Sequence, residues 1–235
     1  MTKRAVLILH GPDEPDDFAS LKLKELGYTL EWKHCYNGDT IGKPDESVAV
    51  TVLYGGGFPQ DEADWHTDKY PCLAVEAQWV KDCIDAGIPT VGFCLGGQII
   101  SHALGGKVRA GLKGQHEWGY YEICPTEAGK DLFPEPMVMP EAHYHEFVPP
   151  EEAEVLATSE LYDYQAYRVG DKTYGFQFHP ERSPDGFKRW QKSDWAAFGK
   201  PGAQTKEQQD ALMAEHSARQ KAWIDGFFER LVGPA

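Results

Sequence analysis

Cys94 lies within Thr90-Val91-Gly92-Phe93-Cys94-Leu95-Gly96-Gly97-Gln98-Ile99-Ile100, an apolar run that ends in a cysteine flanked by small residues and continues as an apolar helical pattern. This reads as strand, sharp turn and helix with Cys94 at the apex, the logic of the G-x-S-x-G nucleophile elbow in the form G-x-C-x-G. Gly92 and Gly96 are small because such a turn brings backbone segments close together. A helix starting at Leu95 points free N–H groups and its positive dipole end at the sulfur, and both favour the reactive thiolate. At this point a buried cysteine packed as a small apolar residue in a βα turn is the alternative.

A thiolate nucleophile needs a base, and the base needs orienting. Of the nine histidines, His179 is best placed: it ends the apolar stretch Tyr174-Gly175-Phe176-Gln177-Phe178, and Pro180 fixes the backbone after it. Glu181, two residues on, is close enough to hold the imidazole. His10, His34, His66, His102, His116 and His216 carry no comparable signal. His143 and His145, on alternate residues of a strand-like segment, would share a face as zinc ligands can. No third ligand is evident nearby, so a pocket-wall or packing role is expected and no metal or other cofactor.

The elements that must carry these residues alternate between strand and helix. Ala5–Leu9 is a continuous apolar run, the mark of a strand buried on both faces. A helical pattern over Asp16–Leu26 follows, then strands over Tyr28–Lys33 and Val48–Tyr54. A helix runs from Lys69 or Pro71 to Ala86, a strand from Ile88 to Phe93, and the helix after Cys94 continues to about Leu104. This alternation predicts a parallel sheet with right-handed crossovers. Ligands in such sheets sit at the carboxyl ends of strands. Gly55-Gly56-Gly57 lies at one such end, where glycines permit unusual dihedrals and close backbone approach to a ligand. Short β patterns follow at Trp118–Cys124, His143–Val148, Val155–Thr158, Ala166–Val169 and Tyr174–Phe178, as antiparallel additions, with a tight turn at Asp171-Lys172. Ser183–Trp195 and Thr205–Val232 read as helices, the second with a stripe of Leu212, His216, Trp223, Phe227 and Leu231.

Composition narrows the function classes. With 23 basic and 37 acidic residues, the 235-residue chain carries a formal charge of -14, which disfavours nucleic acid and anionic membrane as partners. Five cysteines without a C-x-x-C pair argue against a disulfide framework or a thiolate zinc site. The first apolar run is too short for a signal peptide, and no window approaches a membrane span, so a reducing cytoplasm is expected. The acidic Asp61-Glu62-Ala63-Asp64 is expected to be a solvated loop face.

Gly92-Phe93-Cys94-Leu95-Gly96-Gly97-Gln98, with His179-Pro180-Glu181 downstream and the Gly55-Gly56-Gly57 loop upstream, resembles the class I (triad) glutamine amidotransferase family. The similarity is greatest to its free-standing branch related to the glutaminase domain of GMP synthase. Ala103-Leu104-Gly105-Gly106, Glu117-Trp118-Gly119-Tyr120, His143-Tyr144-His145 and Gln165-Ala166-Tyr167 fit the same family. Its loops usually read Gly-Gly-Pro where this chain has three glycines, which implies a more flexible loop.

The resemblance implies a flavodoxin-like, doubly wound α/β domain, mostly parallel, with helices on both faces and added antiparallel strands. The domain is expected over residues 1–195, with a helical C-terminal extension over 196–235 packed on it. It also implies that Cys94 attacks the side-chain amide of glutamine to give a γ-glutamyl thioester, that His179 moves the protons and that Glu181 orients His179. The backbone N–H of Leu95 and those of Gly56 or Gly57 would hold the oxyanion. Gln98 and the Trp118-Gly119-Tyr120 segment would bind substrate, with His145 a further candidate. The chain has neither a P-loop nor a pyrophosphatase loop of its own. Three readings follow: a self-contained hydrolase of glutamine or another γ-glutamyl compound, a glutaminase subunit silent until a synthase partner binds, or a non-catalytic interaction protein. The intact Cys94, His179 and Glu181 weigh against the third.

Overall fold

The computed structural model describes residues 3–12, 16–57, 70–111 and 113–235. The acidic run at Asp61–Asp64, His66, and a helix start at Lys69 lie outside the described residues.

Five parallel strands form the frame: β1 (Arg4–Ile8), β2 (Thr29–Lys33), β3 (Val48–Leu53), β4 (Thr90–Phe93) and β11 (Thr173–Phe176). Between β4 and β11 in sequence lie β5 (Lys107–Ala110), β6 (Glu117–Pro125), β7 (Met137–His143), β8 (His145–Val148), β9 (Glu154–Ser159) and β10 (Ala166–Val169). The nine-stranded sheet runs β2-β1-β3-β4-β11-β10-β9-β6-β7, and β5 pairs with β8 in a separate ribbon. The parallel part has the doubly wound order, with antiparallel strands added beyond β11.

Both faces of β1, β3 and β4 are covered, which is why they read as mostly apolar runs, whereas β2 at the sheet edge is mixed and partly exposed. Helices α1 (Phe18–Glu25) and α5 (Lys206–Leu231) cover one face and bury Ala19, Leu23, Ile224, Phe227 and Phe228 with Ala5 and Leu7 of β1. Helices α2 (Pro71–Asp85) and α3 (Leu95–Ala103) cover the other, packing Leu73, Trp79, Val80, Ile99 and Ile100 against Val6 and Ile8. The short helix α4 (Pro184–Trp190) precedes α5 and is capped by the Ser183 side chain.

Several segments differ from the sequence reading. The expected strand over His143–Val148 is two elements: His143 ends β7, and His145 opens β8 in the other sheet. His143 and His145 therefore do not alternate along one strand. Strand β7 is hidden in the sequence because Pro140 sits inside it; it lies at the sheet edge, where a missing N–H is tolerated. The β10–β11 turn takes its positive φ from Gly170, just before Asp171-Lys172. Helix α4 ends at Trp190, short of Trp195. On α5 the buried stripe is Gln209, Met213, Gln220, Ile224, Phe227 and Phe228, rotated from the one centred on Leu212 and Trp223. Two glutamines lie inside it because their amides find backbone carbonyls: Gln209 Nε2 donates to Trp118 O at 3.0 Å, and Gln220 Nε2 to Arg182 O at 2.7 Å.

The elbow depends on close backbone packing. A Cβ on Gly92 would strike the backbone of Gly96 and Gly97, and one on Gly96 would strike the carbonyl of Leu53 on β3. We predict that Gly96→Ala destabilises the fold by about 1–3 kcal/mol, the usual cost of overpacking a filled core. Urea unfolding would read this as a lower midpoint at unchanged slope, and an unchanged midpoint would show that α3 can slide away from β3.

Candidate active site

Strands β3, β4 and β11 are neighbours in the sheet. Their carboxyl ends therefore bring Gly55–Gly57, Cys94 and the segment 177–181 to one place. Cys94 has φ 49° and ψ -108° and, among the described residues, is the one non-glycine with positive φ. A residue in so sparsely populated a conformation persists only where its surroundings over-determine it. Here the Cys94 N–H donates to Phe176 O at 2.7 Å and its carbonyl accepts from Gln98 N at 3.0 Å. The Leu95 N–H donates toward the sulfur, and Gln177 Nε2 lies 3.6 Å from it.

His179 is buried, and its Nδ1 is 2.8 Å from Glu181 Oε1. The peptide around it is held from three sides. His179 N donates to Pro140 O at 2.8 Å, Phe18 N donates to Glu181 O at 2.7 Å, and Gln220 Nε2 reaches Pro180 O at 3.0 Å. Trp190 packs edge-on against the imidazole at 4.7 Å. A Cβ on Gly55 would lie 2.5 Å from His179 Cε1 and 3.4 Å from Cys94 Cβ, so the ring and the cysteine flank the same narrow gap.

The residues of this gap open into a cavity of about 770 Å³. Gly56, Gly57, Leu95, Gln98, Trp118 and His145 line it with Cys94 and His179. Gly119 and Tyr120 are not in its wall. Tyr120 packs with Phe187 and Met213, and Gly119 makes room for the Gln204 side chain, which bonds both Tyr120 N (2.8 Å) and Tyr120 O (2.6 Å). Gln98 is 5% exposed and donates to His145 O at 3.1 Å. The loop glycines do not use left-handed dihedrals, contrary to the reading of Gly55–Gly57. Gly55 and Gly56 are needed for close approach, to His179 and to His10 respectively, and Gly57 faces open space.

Electrostatics overturn one expectation. Burial pushes the Cys94 thiol up to about 12, Glu141 and Glu181 add to the rise, and the Leu95 N–H and Gln177 only oppose it. The resting sulfur is therefore a thiol, not a thiolate. His179 is shifted the other way: burial lowers its pKa, against the pull of Glu181, so the ring rests neutral.

Several polar residues of this region escaped the sequence reading. Gln177 was visible in principle, since it alternates with His179 at a strand end. His10 had carried no signal, yet it lines the cavity, with Nε2 2.7 Å from Glu76 Oε2 and Nδ1 3.0 Å from Tyr54 O. The expectation that His143 lacks further ligand-type neighbours is corrected: Glu117 and Glu141 converge on it, whereas His145 stands outside that cluster. Cross-strand pairing of β6 with β7 creates this group, and no local motif announces it.

Comparison with known proteins bears on the family and the fold. The family profile described as Glutamine amidotransferase class-I matches residues 20–190. The glutamine amidotransferase-like protein YfeJ of Salmonella typhimurium is 31% identical over 166 residues, 67% of either chain. A GMP synthase (glutamine-hydrolyzing) of Aquifex aeolicus is 30% identical over 77% of this chain, but the match spans only 34% of that protein. Gamma-glutamyl peptidase 4 of Arabidopsis thaliana is 31% identical over 45% of each chain. The crystal structure of a glutamine amidotransferase from Thermotoga maritima superposes with a TM-score of 0.84 at 26% identity, covering 99% of both chains.

The backbone at Cys94 yields a stability test. Removing Cβ should relieve strain worth about 1–3 kcal/mol, part of which glycine returns through the entropy of the unfolded chain. Cys94→Gly is therefore expected to be more stable than Cys94→Ala in thermal unfolding. The reverse order would mean that the φ of Cys94 carries no strain.

Proposed function

The chain belongs to the class-I glutamine amidotransferase family, and we propose that it hydrolyses the γ-amide of glutamine, or of a related γ-glutamyl compound, through a thioester on Cys94. The observation that carries this reading is the meeting of a strained Cys94 and a Glu181-oriented His179 on one cavity.

The mechanism starts from a neutral pair. As Cys94 Sγ attacks the amide carbon, its proton passes to His179, so charge appears only as the C–S bond forms. Glu181 at Nδ1 stabilises the imidazolium, and the Gln177 amide faces the sulfur. The carbonyl oxygen becomes an oxyanion within reach of the Leu95 N–H and the backbone amides of Gly56 or Gly57; removing one such donor typically costs ~10²–10³ in rate. The imidazolium then protonates the leaving nitrogen, and ammonia or an amine departs. Neutral His179 next takes a proton from water, which attacks the thioester and releases the γ-carboxylate and the thiol. Gln98, Trp118 and His145 are proposed to bind the γ-glutamyl group from the cavity wall. Gly119 and Tyr120 contribute by holding Trp118 in place.

The cavity is of a size that holds a drug-sized ligand, ~300–1,000 Å³, more than a glutamine side chain requires. This supports a substrate whose leaving amine is itself bulky, as in γ-glutamyl peptides. A second reading is favoured by the GMP synthase relative, of which this chain matches only about a third: the chain is the glutaminase of a two-chain amidotransferase and works only with a synthase subunit.

The deciding assay follows ammonia and glutamate release by the purified chain from glutamine, with a γ-glutamyl dipeptide in parallel. Turnover of either substrate is expected, with at least a thousandfold loss in Cys94→Ala. Turnover that survives in Cys94→Ala would rule out the thioester, and silence towards both substrates with Cys94 still open to alkylation would favour the subunit reading. The pH profile of kcat/KM is a separate check. His179 must be neutral to accept the proton and its pKa lies below the ordinary 6.5, so activity should hold at neutral pH and fall only below that value. An acid limb centred above pH 6.5 would contradict the lowered pKa.

A further inference from the structure

We propose that Glu117, Glu141 and His143 bind one divalent transition-metal ion of the zinc type, at a site separate from the Cys94–His179 pair. Strands β6 and β7 place Glu117 opposite His143 and Gly119 opposite Glu141, which brings the three side chains together from two neighbouring strands. One ligand atom from each of the three residues lies within 4.8 Å of the others, and all three residues are buried.

Hydrogen bonding leaves this cluster incomplete. His143 Nε2 is 2.9 Å from Glu117 Oε2 and 3.3 Å from Glu141 Oε2. One N–H can be directed at only one of these oxygens, and the geometry directs it at Glu117. Glu117 also accepts from Ser159 Oγ at 2.5 Å and from the Gln165 amide. Glu141 is 0% exposed and, apart from the 3.3 Å approach of His143 Nε2, neither of its carboxylate oxygens has a hydrogen-bond partner among the described residues. A fully buried carboxylate with so few donors is costly. A cation among the three side chains would engage what a single proton cannot.

The surroundings suit a metal. His143 Nδ1 lies 3.0 Å from the His145 carbonyl and donates to it, so a metal taking the place of the Nε2 proton would meet an Nε2 lone pair already turned toward the two carboxylates. Ser159 and Gln165 hold Glu117 in the same outer-shell manner. One imidazole and two carboxylates neutralise a divalent charge in a dry environment, and an imidazole ligand favours zinc-type ions over magnesium or calcium. Glu117 and His143 also line the cavity, so a fourth ligand would come from that side.

The competing explanation is a proton on Glu141, which Glu141→Gln mimics at equal volume. The test titrates Zn²⁺ into chelator-treated full-length protein, both unaltered and as Cys94→Ala, so that the thiol is not mistaken for a ligand. One bound Zn²⁺ per chain and a raised Tm are expected in both. Glu141→Gln should lose at least tenfold in affinity while keeping the Tm of the metal-free protein. Absence of stoichiometric Zn²⁺, or undiminished binding in Glu141→Gln, would overturn the site. If Glu141→Gln does not fold, Glu117→Gln serves in its place, and the unaltered protein alone still decides stoichiometry. Because Cys94→Ala is expected to bind, failure here is distinguishable from failure of the proposed hydrolysis.

Discussion

The structure depends on the adjacency of three parallel strand ends. β3, β4 and β11 lie side by side, and each ends in a different functional part: Gly55–Gly57, Cys94 and the 177–181 segment. Adjacent strands lie about 4.8 Å apart, so these parts meet without any long side chain having to reach. The condition is that α3 starts immediately after β4. That forces Cys94 to φ 49° and requires hydrogen at the Cα of Gly92 and Gly96.

A strained turn needs support from outside itself, and much of that support is polar. The His179–Glu181 peptide has bonds to the Pro140 carbonyl, the Phe18 N–H and the Gln220 side chain. Gln220 belongs to a helix whose other buried glutamine, Gln209, donates to Trp118 O and so fixes a residue of the cavity wall. Helix α5 thus does more than cover the sheet: it links two parts of the site that are far apart in sequence. An apolar residue at 220 would bury as much surface but take away the donor to the Pro180 and Arg182 carbonyls, and unsatisfied buried carbonyls are expensive.

This also explains what was legible in the sequence. Cys94, His179 and Glu181 announce themselves because strand-end and elbow geometry leave local traces, namely small residues at fixed offsets and a proline after the histidine. Strands β1, β3 and β4 were readable from their mostly apolar runs. Strand β7 was not, since Pro140 and Glu141 inside it break every local rule and make sense only beside β6. The α5 stripe was misread because glutamine counts as polar in any periodicity argument, whereas Gln209 and Gln220 are buried by their partners. The surroundings of His10 and Glu117 rest on contacts 66 and 26 residues apart, His10 with Glu76 and Glu117 with His143, which no spacing rule reports.

The thiolate expectation failed for a related reason. The dipole of α3 and the Leu95 N–H do favour negative charge on Cys94, as the elbow logic says. Burial and two nearby carboxylates act against them and win. The chain carries 37 acidic residues, and Glu117, Glu141 and Glu181 are among those fully buried around the cavity. In the proposed reaction, such a site would hold the Cys94 sulfur uncharged until proton transfer to His179 accompanies attack. Glu181 then has a distinct part to play. It opposes a resting thiolate but favours the imidazolium that bond formation creates. One carboxylate therefore disfavours charge on the free thiol and favours it on the imidazole, which in the proposed reaction would tie reactivity to the presence of an electrophile in the gap beside Gly55.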